Sequence, residues 1–135
     1  MSVVLDTGIV YAYYDRTDSW HGRARHLIQT EQRGLILPAP VVPEVDHLLG
    51  QRLGSASRQT LYAGIVDGYY LVTDLPREGY ARVAELNRRF DDLRLGFVDG
   101  AVIAIAEALG LSRIATTDRR HFGPVTSALG LELLP

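Results

Sequence analysis

Cysteine is absent from the chain, which removes disulfides, zinc–thiolate centres and cysteine nucleophiles. A reducing cytoplasm is the natural home for such a sequence. Lysine is absent too, so all 14 basic residues are arginine. Without lysine there is no Walker A phosphate loop and no Schiff-base chemistry. No run of about 18 apolar residues occurs, so no membrane span is expected. The first residues, Met1 to Leu5, carry no basic region and meet an acid at Asp6, unlike a secretory signal. A broad excess of positive charge is also missing. The formal net charge is −2, so nucleic-acid binding would need a local arginine patch, or metal ions that turn acidic residues into a phosphate site.

What is present suffices for one core. Of the 135 residues, 47% are hydrophobic, and no repeat, linker or low-complexity tract divides them. We read a single domain over 1–135. Short apolar strands are predicted at 2–5, 35–37, 69–73, 113–116 and 131–134. Helices are predicted at 7–14, from an Asp18 or Ser19 cap to about 33, from Pro43 to about 53, at 55–68, 76–90 and 97–109. The stretch 118–122 reads as a turn or short helix. Strands alternating with helices predict an α/β fold, a mainly parallel sheet covered on both faces.

Most of the 16 acidic residues lie among arginines and read as solvated surface. Four do not. Asp6 and Asp118 each follow an apolar strand, where parallel sheets place ligand sites; each also suits a helix cap or turn. Asp99 sits in Phe97-Val98-Asp99-Gly100-Ala101-Val102-Ile103 with no cation one turn away. It is either a first-turn acid favoured by the helix dipole or a buried carboxylate that requires a partner. Glu44 sits in Val41-Val42-Pro43-Glu44-Val45, again a first turn, with His47 its only helical neighbour of interest.

In this class of fold those four positions can meet at one sheet edge. Two carboxylates at about 4 Å repel by about 4 kcal/mol at an effective dielectric of 20, so a cluster needs protons or a cation. A hard divalent ion resolves the repulsion and brings phosphodiester chemistry with it.

The order and spacing of Leu5-Asp6-Thr7, Val42-Pro43-Glu44-Val45, Gly96-Phe97-Val98-Asp99-Gly100 and Ala115-Thr116-Thr117-Asp118-Arg119-Arg120-His121-Phe122 resemble the PIN-domain ribonucleases, most closely the VapC-type toxins of toxin–antitoxin pairs. The resemblance spans essentially the whole chain. It implies a three-layer α/β/α sandwich and Mg2+- or Mn2+-dependent endonucleolytic cleavage of structured RNA such as tRNA or ribosomal RNA. Asp6, Glu44, Asp99 and Asp118 would form the metal site, and Thr116 falls where the family often has Thr or Ser two residues before the last acid. Asp118 stands at the family's most variable acid. A metal-activated water would attack phosphorus in line and leave a 5′-phosphate. The resemblance also implies a homodimer and a small cognate antitoxin.

Arg119 and Arg120 are candidate phosphate contacts; a salt bridge or plain exposure is the alternative for each. His121 and Phe122 could frame a base, with Phe122 better suited to the core. His21, His26 and His47 share no ligand spacing and are left out of the site. Trp20, Tyr11, Tyr13 and Tyr14 suit base stacking less well than core or interface. A phosphoaspartate protein is a poor alternative, because a receiver or a haloacid-dehalogenase-type phosphatase uses a lysine, and the phosphatase wants an acid where Gly8 stands. The other alternative is an inactive PIN-like module that docks RNA or a protein partner, although all four acids are in place.

Overall fold

The computed structural model describes residues 2–135; Met1, included in the one-domain reading, lies outside them. In chain order the elements are β1 (Val3–Leu5), α1 (Thr7–Tyr14), α2 (His21–Thr30), β2 (Leu35–Pro38), α3 (Val41–Arg52), α4 (Ser55–Val66), β3 (Leu71–Thr73), α5 (Arg77–Arg89), a 3₁₀ turn (Asp91–Leu93), α6 (Gly96–Ala108), β4 (Arg113–Ala115), α7 (Arg119–Leu129) and β5 (Glu132–Leu134). The five strands form one sheet in the order β3-β2-β1-β4-β5, and every neighbouring pair is parallel. The α/β sandwich expected from the alternation is therefore present, with a sheet that is parallel throughout.

Burial explains the arrangement. Every residue of β1 and β2 is buried, as a strand covered on both faces demands. Helix α6 lies over β1, β2 and β4 and packs against α5. Its residues Gly100 to Ala106 are all buried, in keeping with the nearly unbroken apolar run. Helices α1 to α4 form a second packed group, and α7 leans on β5. Gly100 sits at the α5–α6 contact, where an added Cβ would lie 3.0 Å from Val83 Cγ1, so a small residue is required there.

Several boundaries differ from the sequence reading. Helix α2 begins at His21 because Asp18 first closes a turn: its carboxylate accepts from Trp20 N–H (2.8 Å) and its carbonyl from His21 N–H (3.0 Å). Tyr69 and Tyr70 precede β3 instead of joining it. Tyr70 is buried and shares a 2.8 Å hydroxyl contact with Tyr14. Beyond Phe122 the chain stays helical to Leu129, straight through Gly123 and Pro124. Pro124 removes one helical hydrogen bond. The helix persists because Phe122, Val125 and Thr126 bury one face, and Thr126 Oγ1 returns bonds to the Phe122 and Gly123 carbonyls (2.7 and 3.1 Å).

The topology also locates a crevice. From β1 the chain moves through β2 to β3 on one side, whereas β4 and β5 lie on the other. The carboxyl ends of β1 and β4 are thus the point where strand order reverses, and ligands of open parallel sheets bind there.

Candidate active site

Three of the four predicted acids are delivered to that crevice by their elements. Asp6 directly follows β1, and its N–H donates to the Ala115 carbonyl of β4 (2.9 Å). Asp118 ends the connection from β4 and caps α7. Asp99 lies in the first turn of α6. The two strand-end loops approach closely: a Cβ on Gly8 would stand 2.1 Å from Thr117 Oγ1. Glu44, in the first turn of α3, is exposed at the margin and accepts from Thr7 Oγ1 (2.5 Å), which ties it to the residue beside Asp6.

Asp6 is the buried member, only 5% exposed. Its Oδ2 accepts from the wholly buried Thr116 hydroxyl (2.7 Å). Burial pushes its pKa from 3.8 up to about 6; the bonds from Thr116 and the Thr7 backbone oppose this, and the charges of Glu44 and Asp118 add to it. Asp99, half-buried, is raised from 3.8 to about 7, first by burial and then by Asp6 and Asp118, with His121 opposing and Glu44 adding. The four carboxylates therefore feel one another. Among the described residues none of Asp6, Glu44 and Asp99 has a salt-bridge partner. An excess of hard oxygen donors around a buried carboxylate, without arginine to balance them, suits a divalent cation.

The amino-acid sequence beyond these residues agrees with the geometry. The PIN-domain family model matches residues 3–124. This chain belongs to the PIN-domain family. It is similar to ribonuclease VapC26 of Mycobacterium tuberculosis, 25% identical over 120 residues that cover 89% of each protein. In fold it resembles M. tuberculosis VapC20, described as a sarcin–ricin loop cleaving toxin, with a TM-score of 0.83 at 23% identity over 99% of this chain and 100% of that one. A toxin–antitoxin complex from Klebsiella pneumoniae gives a TM-score of 0.70 at 15% identity, covering 92% of each chain.

Two side chains in this PIN domain were not singled out as site residues in the sequence. Thr7, part of the Leu5-Asp6-Thr7 motif and a helix start in the sequence, holds Glu44 through its hydroxyl. His121, a candidate base contact in the sequence, places its Nδ1 2.6 Å from Asp118 Oδ2. That contact raises its pKa above 6.5, chiefly through the hydrogen bond. The available signal was the spacing: three residues after a helix cap, a side chain turns back over the cap. The arginines divide. Arg119 bonds the Pro135 carbonyl and stacks toward Trp20 (5.8 Å), whereas Arg120 is exposed and has no ion-pair partner among the described residues. Phe122 and Tyr11 belong to the core. His21 Nδ1 contacts the Ala12 carbonyl, and His26 and His47 are exposed.

Thr116 links the two strand-end acids, bonding Asp6 through its hydroxyl hydrogen while its oxygen accepts from Asp118 N–H (2.9 Å). Thr116→Val preserves shape and removes both bonds. Partners that orient metal-binding groups are typically worth about 10–100-fold in activity or affinity. We expect a loss of that size in RNA cleavage with the circular dichroism spectrum unchanged; full activity in the valine variant would remove Thr116 from the supporting set.

Proposed function

We propose that this PIN domain is a divalent-metal-dependent endoribonuclease, the toxin of a toxin–antitoxin pair, acting on structured RNA such as tRNA or ribosomal RNA. The observation that carries this reading is the convergence of Asp6, Asp99 and Asp118, with Glu44 at the margin, at the crevice between β1 and β4. Similarity to VapC26 and the fold shared with VapC20 support the substrate class and the toxin role.

Asp6, Asp99 and Glu44 would hold Mg2+ or Mn2+, and Asp118 would complete the set. The ion supplies Lewis-acid charge and activation of water for phosphodiester hydrolysis. The chain's own residues prepare that event. Burial keeps Asp6 in a low-dielectric wall where its charge acts strongly. Thr116 fixes its carboxylate, and Thr7 fixes that of Glu44. A cleft of this charge attracts a polyanion only when a cation balances the acids, which couples RNA binding to metal loading. Arg120, free at the rim, is the better placed of the two arginines to meet a phosphate. Water adds to phosphorus as the bond to the 3′ oxygen breaks, leaving a 3′-hydroxyl and a 5′-phosphate.

No helix among the described residues is long and apolar enough to cross a membrane. We further propose a cytoplasmic homodimer neutralised by a small antitoxin. The antitoxin is supported by the fold shared with the Klebsiella pneumoniae toxin–antitoxin complex, and the dimer by the family resemblance.

The test is cleavage of total RNA by purified protein with Mg2+ or Mn2+, followed by mapping of the RNA ends. Endonucleolytic cuts bearing 5′-phosphates, stopped by EDTA and restored by added metal, are expected. Cutting that continues undiminished in EDTA, or no cutting with either ion, would sink the reading.

A further inference from the structure

His121 is placed at the acids by the same local geometry that starts α7. Asp118 caps the helix, accepting from His121 N–H through Oδ1 (3.1 Å), and the imidazole of His121 then folds back so that Nδ1 meets Asp118 Oδ2 (2.6 Å). One ligand atom from each of Asp99, Asp118 and His121 lies within 4.8 Å of the others. Around an octahedral ion with bonds of about 2.1 Å, neighbouring ligand atoms stand about 3 Å apart and opposite ones about 4 Å. The trio is therefore close to the spacing that one ion imposes. Asp6 and Glu44 are held instead by Thr116 and Thr7. Among the described residues no other side-chain nitrogen makes a hydrogen bond or salt bridge to any of the four acids, since Arg119 turns away to Pro135 and Trp20.

Resting on the proposed metal-dependent reading, we infer that His121 supplies an imidazole nitrogen to the divalent ion beside the carboxylates of Asp99 and Asp118, so that the centre favours a first-row transition ion such as Mn2+ over Mg2+. The preference follows from donor chemistry. Mg2+ takes oxygen ligands and keeps its waters, whereas transition ions gain from an imidazole nitrogen. The competing role for His121 is to orient Asp118 without touching the ion. A residue acting only through another ligand lowers the affinity for both ions together; a direct nitrogen ligand lowers the affinity for Mn2+ more.

Two measurements on the purified full chain decide the matter. Pulsed electron paramagnetic resonance of the Mn2+-loaded wild type, which requires no variant to fold, should show modulation from an imidazole nitrogen. Calorimetric titration of wild type and His121→Gln with Mn2+ and with Mg2+ should show Mn2+ affinity falling by about 10–100-fold, the range for loss of a supporting metal contact or more, while Mg2+ affinity changes several-fold less. Absence of the nitrogen signal with equal losses for both ions overturns the inference and leaves the metal-dependent reading intact. Failure of the wild type to bind either ion overturns both.

Discussion

Asp99→Asn is expected to lower RNA cleavage by more than about 100-fold while leaving the fold intact. Loss of a residue that merely supports a metal ligand costs about 10–100-fold, and loss of a charged ligand should exceed that. Asparagine has nearly the same shape as aspartate, so α6 keeps its packing on β1, β2 and β4. The change also removes a charge that burial and the neighbouring acids disfavour, since Asp99 is raised to about 7. The metal-free variant should therefore melt no lower than the wild type. Cleavage assays at saturating Mg2+ and Mn2+, paired with thermal melting, check both halves. A wild-type rate in the variant removes Asp99 from the mechanism; a collapsed melting transition means that its role is structural.

The second large effect is an inverted pH dependence of stability in the metal-free protein. The carboxyl of Asp6 holds its proton more tightly when folded, with a pKa of about 6 against 3.8. Between about pH 4 and pH 7 the folded chain then carries more protons than the unfolded chain, and stability falls as pH rises through that window. For Asp6 alone the difference corresponds to about 3 kcal/mol. Asp99, raised to about 7, acts in the same direction, damped by its partial exposure. Asp15 and Glu31 are lowered by their partners from 3.8 and 4.5, and their opposing effects fall below about pH 5.

Urea unfolding in EDTA should therefore give a midpoint that declines from pH 4.5 to 7.5. Adding Mg2+ or Mn2+ at pH 7.5 should reverse much of the decline, since a ligand at 100 times its dissociation constant contributes about 2.7 kcal/mol. Asp6→Asn should flatten the metal-free profile. A wild-type profile that is flat in EDTA, or that rises toward neutral pH, contradicts the crowded-carboxylate picture.

Much of this was legible in the sequence because it rests on local chemistry. Short β-branched runs ending in an acid marked β1 and β4, and the nearly all-apolar run after Phe97 marked a buried α6. The four acids stood out by position: Asp6 and Asp118 follow apolar strands, and Glu44 and Asp99 lie in first turns among apolar neighbours. Local rules failed where tertiary burial overruled them. The stretch 118–122 reads as a turn or short helix, yet α7 runs on through Pro124 because its buried face outweighs one lost hydrogen bond. Tyr69 and Tyr70 read as strand, yet the chain turns at Gly68, with φ of 81°, and Tyr70 goes to Tyr14 instead.

The sequence by itself determined the α/β class with its mainly parallel sheet, because periodicity and composition act over a few residues at a time. The tertiary structure alone decided that β1 and β4 are neighbours, that Thr116 bonds Asp6 across 110 residues of chain, and that an imidazole joins the carboxylates. The first two pairings depend on strand order, which follows from how the whole core closes; the imidazole meets Asp118 locally, three residues on, but reaches Asp99 only because α6 and α7 converge.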